Sequence, residues 1–312
     1  MTALVTFSHR PVLLDEVTEL LASVPEGIVV DGTLGGGGHS AALLEARPDL
    51  TVVGVDRDPA ARVAAAERLA AYGDRISIVD DTSDRGIRRA AERGAVTGVL
   101  LDLGVSSPQI DEPGRGFSYR NDGPLDMRMD PTIGPTAAEL LDGIDERDLA
   151  RLLRDLSDEP HARRIARAIV AARPLRTTGE LAEVVRNAVP AAARRRGDPS
   201  KRTFQALRIA VNDELDLLER SLDAALEVLA PGGRLVVLAY HSGEDRLVKD
   251  RFRAATDPTL GLPRHLPIPP DLNVSMRLLT RKAVTATPAE ADANPRATSA
   301  RLRAVERLHE EP

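Results

Sequence analysis

The chain has 312 residues, 42% of them hydrophobic and only 2% aromatic, with no Trp, no Cys and a formal net charge of −6. That length suits one large domain or two smaller ones, with a core built from Ala, Val, Leu and Ile. Without Cys there are no disulfides, thiolate metal sites or cysteine nucleophile, which fits a reducing compartment. No apolar run reaches membrane-spanning length and the N-terminus lacks a signal pattern, so a soluble, cytoplasmic protein without a membrane partner is expected.

Residues 1–8 read as a loose arm, and Pro11 stands near the start of a short helix. Strands then alternate with helices: strand 28–31, helix 39–46, strand 51–55, helix 59–71, strand 76–79, helix 83–93, strand 98–102. The strand runs are apolar throughout, as in parallel sheets covered on both faces. A long Gly/Pro-rich segment, 111–135, breaks the rhythm, and a loop of that length is usually functional. Helices follow without strands between them. Thr136 with Glu139 and Thr177 with Glu180 form capping boxes, and Asp145 opens a helix over 146–156. Residues 234–240 return as a buried strand ending in His241, a weak site candidate on its own. A last strand is expected at 276–280, then a polar tail over 283–312 with a short Arg-rich helix at its end.

Charge is unevenly spread. Residues 151–208 hold 14 basic against 6 acidic side chains, a local +8 in a chain of net −6. A basic segment on an acidic body suggests a polyanion touched locally, although a solvated helical face would look the same.

Chemistry concentrates after the first strand. Ile28-Val29-Val30-Asp31 runs into five glycines within seven positions (Gly32 and Gly35 to Gly38), then His39-Ser40 and an apolar helix. Glycine there allows positive φ and close approach of the backbone to a ligand, while the helix N-terminus offers free N–H groups. Gly36 to Ala41 also fits the G-x-G-x-x-A fingerprint, and Asp56 ends the second strand where an acid can hold ribose hydroxyls. An adenosine-type ligand follows, either a dinucleotide or S-adenosylmethionine. Asp31 and Asp102, both at strand ends, would repel a pyrophosphate, and one of them would be a natural partner for a sulfonium or ammonium, which favours S-adenosylmethionine. An NAD-dependent oxidoreductase and a non-catalytic RNA-binding factor are the rival classes.

Several long motifs occur in order: His9-x-Pro11-Val12-Leu13-Leu14, Asp31 through Ser40, Asp56-Arg57-Asp58-Pro59 and Leu101-Asp102-Leu103-Gly104-Val105-Ser106-Ser107-Pro108-Gln109. They continue with Arg115-Gly116-Phe117-Ser118, Pro124-Leu125-Asp126-Met127-Arg128-Met129, Phe204 through Leu215, His241-Ser242-x-Glu244-Asp245-Arg246 and Asn294-Pro295-Arg296. Together they closely resemble the ribosomal RNA small-subunit methyltransferase H family (the MraW/RsmH type) from residue 9 to about 309. The resemblance implies an α/β fold, a class I (Rossmann-like) methyltransferase sheet with an inserted α-helical domain. Residues 1–110 and 214–312 would form the discontinuous methyltransferase domain, and 111–213 the helical insertion that recognises rRNA.

It further implies transfer of a methyl group from S-adenosylmethionine, without a metal, to the exocyclic N4 of one cytosine in the decoding region of small-subunit (16S) rRNA. The partner would be that rRNA within an assembled subunit, and the enzyme a monomer or homodimer. The family's cofactor contacts carry over to Gly37, Gly38, His39, Asp56, Thr82, Asp102 and Gln109. Thr82 stands where the family usually has an aromatic, and Gly243 replaces the usual Leu of H-S-L-E-D-R.

Cytosine N4 is a poor nucleophile because its lone pair is delocalised into the ring. An acceptor bonded to its N–H would localise that pair, and Ser106 and Ser107, with Asp102 close by in sequence, lie where amino-methylating enzymes place such a loop. Phe117 and Tyr119 are candidate stacking partners for a base taken out of its stack. Arg194, Arg195, Arg196, Lys201 and Arg202 are expected on phosphates.

Overall fold

The computed structural model describes residues 10–195, 197–260 and 274–309; the arm expected at 1–8 lies outside them. In chain order the elements are α1 (Leu14–Ala22), β1 (Ile28–Asp31), α2 (Gly38–Ala46), β2 (Thr51–Val55), α3 (Pro59–Leu69), β3 (Ile76–Val79), α4 (Ser83–Ala91) and β4 (Val96–Asp102). Then come α5 (Ser107–Asp111), α6 (Ala137–Gly143), α7 (Glu146–Ser157), α8 (Ala162–Ala171), α9 (Thr178–Ala188), α10 (Ala191–Arg194), α11 (Ser200–Asn212) and α12 (Glu214–Val228). The chain closes with β5 (Leu229–Ala239), α13 (Ser242–Thr256), β6 (Met276–Leu278), α14 (Pro288–Ala293) and β7 (Arg301–Arg307). It divides into two compact units at Gly104/Val105 and Leu215/Asp216, where the sequence suggests breaks after 110 and 213. Among the described residues no helix is long and apolar enough to cross a membrane.

The strand-bearing unit is a seven-stranded sheet of order β3-β2-β1-β4-β5-β7-β6. Its first five strands run parallel. Alternate residues serve opposite faces. Val29, Val52, Leu100, Val236 and Leu238 pack with Val17, Leu21, Leu43 and Leu44 of α1 and α2. Val30, Val53, Val99, Leu101, Leu235 and Val237 pack with Ile87, Leu218, Leu222 and Phe252 of α4, α12 and α13. Both faces are dry, which is why these strands read as unbroken apolar runs. Strand order reverses between β1 and β4, so the carboxyl ends of β1, β2 and β4 open on one side of a topological switch point.

The structure corrects the expected polar tail. Residues 301–307 form β7, antiparallel between β5 and β6, with Leu302, Ala304 and Val305 fully buried. Its charges are paired: Arg303 Nε donates to Asp245 Oδ1 at 2.7 Å and Arg301 to Asp245 Oδ2 at 3.1 Å, while Glu306 accepts from Arg234 at 2.9 Å. Burial opposes ionisation of Asp245, but the two guanidiniums outweigh it and hold its carboxyl below the usual range.

The helical unit has its own core. Leu141, Leu149, Leu153, Ile165, Ile169, Leu181, Val185 and Leu207 are fully buried around Phe204. Both capping boxes form, at Thr136/Glu139 and Thr177/Glu180, and Asp145 accepts from the Asp148 amide at 2.8 Å. The Gly/Pro-rich segment is irregular but fastened. Asn212, 4% exposed, accepts from Met129 N at 2.7 Å and donates to Met127 O at 2.7 Å, pairing with that segment much as a neighbouring strand would.

Candidate active site

Between β1 and α2 the backbone turns on glycines in the left-handed region, Gly35 at φ 50° and Gly37 at φ 71°. A side chain is disfavoured at Gly37 twice over, since a Cβ there would also lie 2.9 Å from Leu69 Cδ1; at Gly38 it would lie 2.5 Å from Pro11 Cγ. The turn closes through Gly37 N donating to Leu34 O at 2.8 Å. α2 then begins without a side-chain cap, so its N-terminal amides and the positive end of its dipole face whatever binds at the turn.

Three acids end the central strands, and their surroundings differ. Asp31 is turned inward: it is 3% exposed, takes the Ser40 hydroxyl at 2.6 Å and the Thr33 amide at 3.3 Å. Burial pushes its carboxyl up, partly offset by Ser40 and His39. It ties the turn to α2; of the two acids, Asp31 and Asp102, one of which the sequence offers to a cationic group, it is the buried one. Asp56 caps the turn from β2, its Oδ2 accepting from Gly35 N and its Oδ1 from Asp58 N, both at 2.8 Å. Burial raises its carboxyl to about 6 despite those two amides. Asp102, on β4, is partly open, with its side chain 25% exposed.

Asp102 stands at the centre of a small polar group. Tyr240, following β5, donates its hydroxyl to Asp102 Oδ1 at 2.6 Å, and Asp102 N donates to Thr33 Oγ1 at 2.5 Å. His39 Nε2 lies 3.5 Å from Asp102 Oδ2, an ion-pair distance too long for a strong hydrogen bond; accordingly neither ring nitrogen of this buried histidine has a hydrogen-bond partner among the described residues. Burial pushes the Tyr240 phenol well up, and the charge of Asp102 adds to it, so Tyr240 stays a donor. Sequence reasoning missed Tyr240. Its signal was slight, one aromatic closing an apolar strand just before His241.

His241 itself is a helix cap. Its Nδ1 accepts from Gly243 N at 3.2 Å and Glu244 N at 3.4 Å, while Glu244 Oε2 accepts from Tyr240 N at 2.8 Å and His241 N at 3.1 Å. The His241-Ser242-Gly243-Glu244-Asp245-Arg246 motif therefore starts α13, fixes the Tyr240 backbone and grips β7. Thr82 stands at the N-cap position of α4 after β3 without a side-chain cap bond, its hydroxyl donating instead to Asp84 Oδ1 at 2.6 Å.

In the helical unit, Ser106 is the N-cap of α5 and forms a capping box with Gln109, whose Oε1 accepts from Ser106 N at 2.9 Å. Gln109 is 5% exposed and Ser107 is the first residue of the helix. Phe117 does not offer an open stacking face: it is 8% exposed, and the Arg115 guanidinium lies 5.9 Å from its ring centroid. Tyr119 is half-buried and edge-on to Phe204 at 5.7 Å. Of the basic candidates, Arg194, Arg195, Lys201 and Arg202 are exposed and form no ion pair among the described residues, whereas neighbouring Arg186 is committed to Asp198 at 2.8 Å. Arg196 lies outside the described residues.

Comparison with known proteins decides the family. The model of the MraW methylase family matches residues 6–308. The chain belongs to the MraW methylase family. A protein of Thermobifida fusca named ribosomal RNA small subunit methyltransferase H is 54% identical over 314 residues, covering 97% of this chain and 94% of its own. One of the same name from Heliobacterium modesticaldum is 49% identical over 317 residues, covering 97% and 99%. This MraW-family chain is thus a methyltransferase of the class I fold, and its cofactor is S-adenosylmethionine. The strand-end carboxylates, the left-handed glycines and the uncapped α2 fit such a ligand: acceptors for hydroxyl and cationic groups, and amides for an anionic one.

Proposed function

We propose that this protein methylates the exocyclic N4 of a cytidine in the decoding region of small-subunit rRNA. The observation that carries the reading is the meeting of Asp56, Asp102 and the glycine turn at the carboxyl ends of neighbouring parallel strands, in a chain of this methylase family. The names of its relatives support the RNA class, and an rRNA substrate implies the cytoplasm, where subunits are assembled. Gly37, Gly38 and His39 would hold the cofactor at the turn and Asp56 its ribose hydroxyls, with Asp102, Gln109 and Thr82 completing the set. Bound there, S-adenosylmethionine supplies a methyl group already activated on a sulfonium.

What remains for the protein is alignment and removal of a proton, worth several orders of magnitude when donor and nucleophile are held in line. An acceptor on the cytosine N–H would return lone-pair density to N4. Since Ser106 already caps α5, we assign that acceptor to the Ser107 hydroxyl or a backbone carbonyl of the same loop. Arg194, Arg195, Lys201 and Arg202 would hold rRNA phosphates as unpaired charges, and the helical unit would be the rRNA-recognition part.

Transfer of labelled methyl from S-adenosylmethionine to purified small subunits lacking the modification tests the reading. The expected product nucleoside is N4-methylated cytidine. Label in another nucleoside rejects the target atom; rRNA binding without transfer, and without dependence on S-adenosylmethionine, supports an assembly factor instead.

A further inference from the structure

The three strand-end acids are held in different ways. Asp56 is fixed by backbone amides of its own turn, and Asp31 by Ser40 with one amide. Asp102 receives its short contact from a side chain that follows the neighbouring strand β5, the Tyr240 hydroxyl at 2.6 Å. That distance lies in the range of a charge-assisted O–H to carboxylate bond. His39, at 3.5 Å from the other oxygen, is too far to hold the carboxylate alone.

Tyr240 is itself rigidly placed. Its amide is tied to Glu244 Oε2 at 2.8 Å, Glu244 is 2% exposed, and the ring packs against Gly104, where a Cβ would lie 3.6 Å from Cδ2. An aspartate at a strand end has two free torsions. A hydroxyl donor locked to Oδ1 removes most of that freedom and leaves Oδ2 to face the turn and its ligand.

We propose that Tyr240 is a positioning residue of the methyltransferase site, acting through Asp102 by fixing the orientation in which that carboxylate meets the cofactor. This rests on the function proposed above, in which Asp102 contacts S-adenosylmethionine. The hydroxyl acts by preorganisation, because the ligand then does not bear the cost of ordering the carboxylate. It also explains why the strand ends in an amphipathic aromatic: the ring fills space beside Gly104 and the single polar atom is spent on Asp102.

A double-mutant cycle tests it, with binding of S-adenosylmethionine and S-adenosylhomocysteine read by calorimetry alongside single-turnover methyl transfer. Y240F keeps the ring and removes only the hydroxyl. The expected result is a Kd about tenfold higher, the effect of a hydrogen bond to a charged group, with an unchanged KM for small subunits and a melting temperature shifted by only a few degrees. In a D102N background, checked with D102A, Y240F should change Kd less than about twofold, the sign of coupled residues. An equal loss in both backgrounds would mean that the hydroxyl acts by packing, and no loss with Asp102 intact would mean that it does not act; either overturns the proposal while tight wild-type binding leaves the function standing. Wild-type protein that binds neither ligand would overturn both together.

Discussion

The glycine turn and the α10–α11 segment are both polar, yet they treat charge in opposite ways. Around the turn each acid is held by a short, identifiable bond: Asp56 to two amides, Asp31 to Ser40, Asp102 to Tyr240. In the helical unit Arg194, Arg195, Lys201 and Arg202 stand exposed without ion pairs among the described residues, although acids are plentiful along the chain. Small-ligand chemistry needs preorganised groups and tolerates the strain and burial that hold them. A polyanion is better met by mobile, unpaired charges whose contribution is counterion release. Variants in the first region should therefore act steeply on cofactor binding, and those in the second gradedly on RNA affinity.

The largest effect is expected from Gly37→Val. A left-handed backbone costs an L residue about 1–2 kcal/mol, and the added atoms meet Leu69, the nearest only 2.9 Å from an ideal Cβ. Calorimetry should show S-adenosylmethionine affinity lost by more than about 100-fold, at least two steps of 1.4 kcal/mol, with a lowered melting temperature. A Kd within about threefold of wild type would show that the turn's conformation does not control binding.

Asp56→Asn comes next and separates function from stability. Removing a charged acceptor of hydroxyl donors costs about 1.5–3 kcal/mol, so cofactor affinity should drop by one to two orders of magnitude. The free protein should respond the other way. Burial raises the Asp56 carboxyl to about 6, above its ordinary 3.8, so its contribution favours the fold below the unfolded value and is lost as pH rises through about 6. At pH 7.5 the ionised group is therefore a cost of up to about 2 kcal/mol that the Asn variant removes, at the loss of one of the two amide acceptors, so the variant's stability relative to wild type should rise from pH 4 to pH 7.5. Wild-type cofactor affinity should fall as pH drops below about 6, since the carboxyl then loses its charge. Melting curves and titrations at pH 5, 6 and 7.5 check both signs; equal affinity at pH 5 and 7.5 would remove Asp56 from the ribose contact.

In the helical unit, reversing Arg194, Arg195, Lys201 and Arg202 to Glu should leave melting and S-adenosylmethionine binding unchanged. RNA affinity should weaken, and its dependence on log salt should flatten by roughly 3 units, as expected for about four phosphate contacts. An unaltered slope would make this a solvated face. Reversing Arg186, already paired with Asp198, is the contrast: it should disturb folding more than salt dependence.

Much of this was legible in the chain because it is local. The β1 turn and the boxes at Thr136 and Thr177 are written in consecutive residues, and the parallel strands in runs of Val, Leu and Ile. What stayed hidden depends on partners far away in sequence. Residues 301–307 look like a charged tail until Asp245 and Arg234 are seen to neutralise them. Phe117 sits among glycines and prolines that suggest exposure, yet the segment is drawn in by Asn212, more than eighty positions later. Tyr240 and Asp102 are separated by 138 residues, and no spacing pattern marks such a pair. Asp31 and Asp102 could not be told apart for the converse reason, since an acid at a strand end reads alike whether it faces a site or, like Asp31, Ser40 in the interior.

The smallest effect tests how the Ser106–Gln109 loop divides its labour. Ser106 caps α5, so Ser106→Ala should cost about 1 kcal/mol of stability and slow methyl transfer only through that loosening. Ser107→Ala should reduce the single-turnover rate at a temperature where the variant is fully folded. The ratio of the two losses is informative where either alone is not. If Ser106→Ala slows transfer more than Ser107→Ala at a temperature where both are fully folded, the capping hydroxyl is also the acceptor for the cytosine amine. If neither changes the rate, a backbone carbonyl of the loop holds that proton, and the serines serve only to shape the turn.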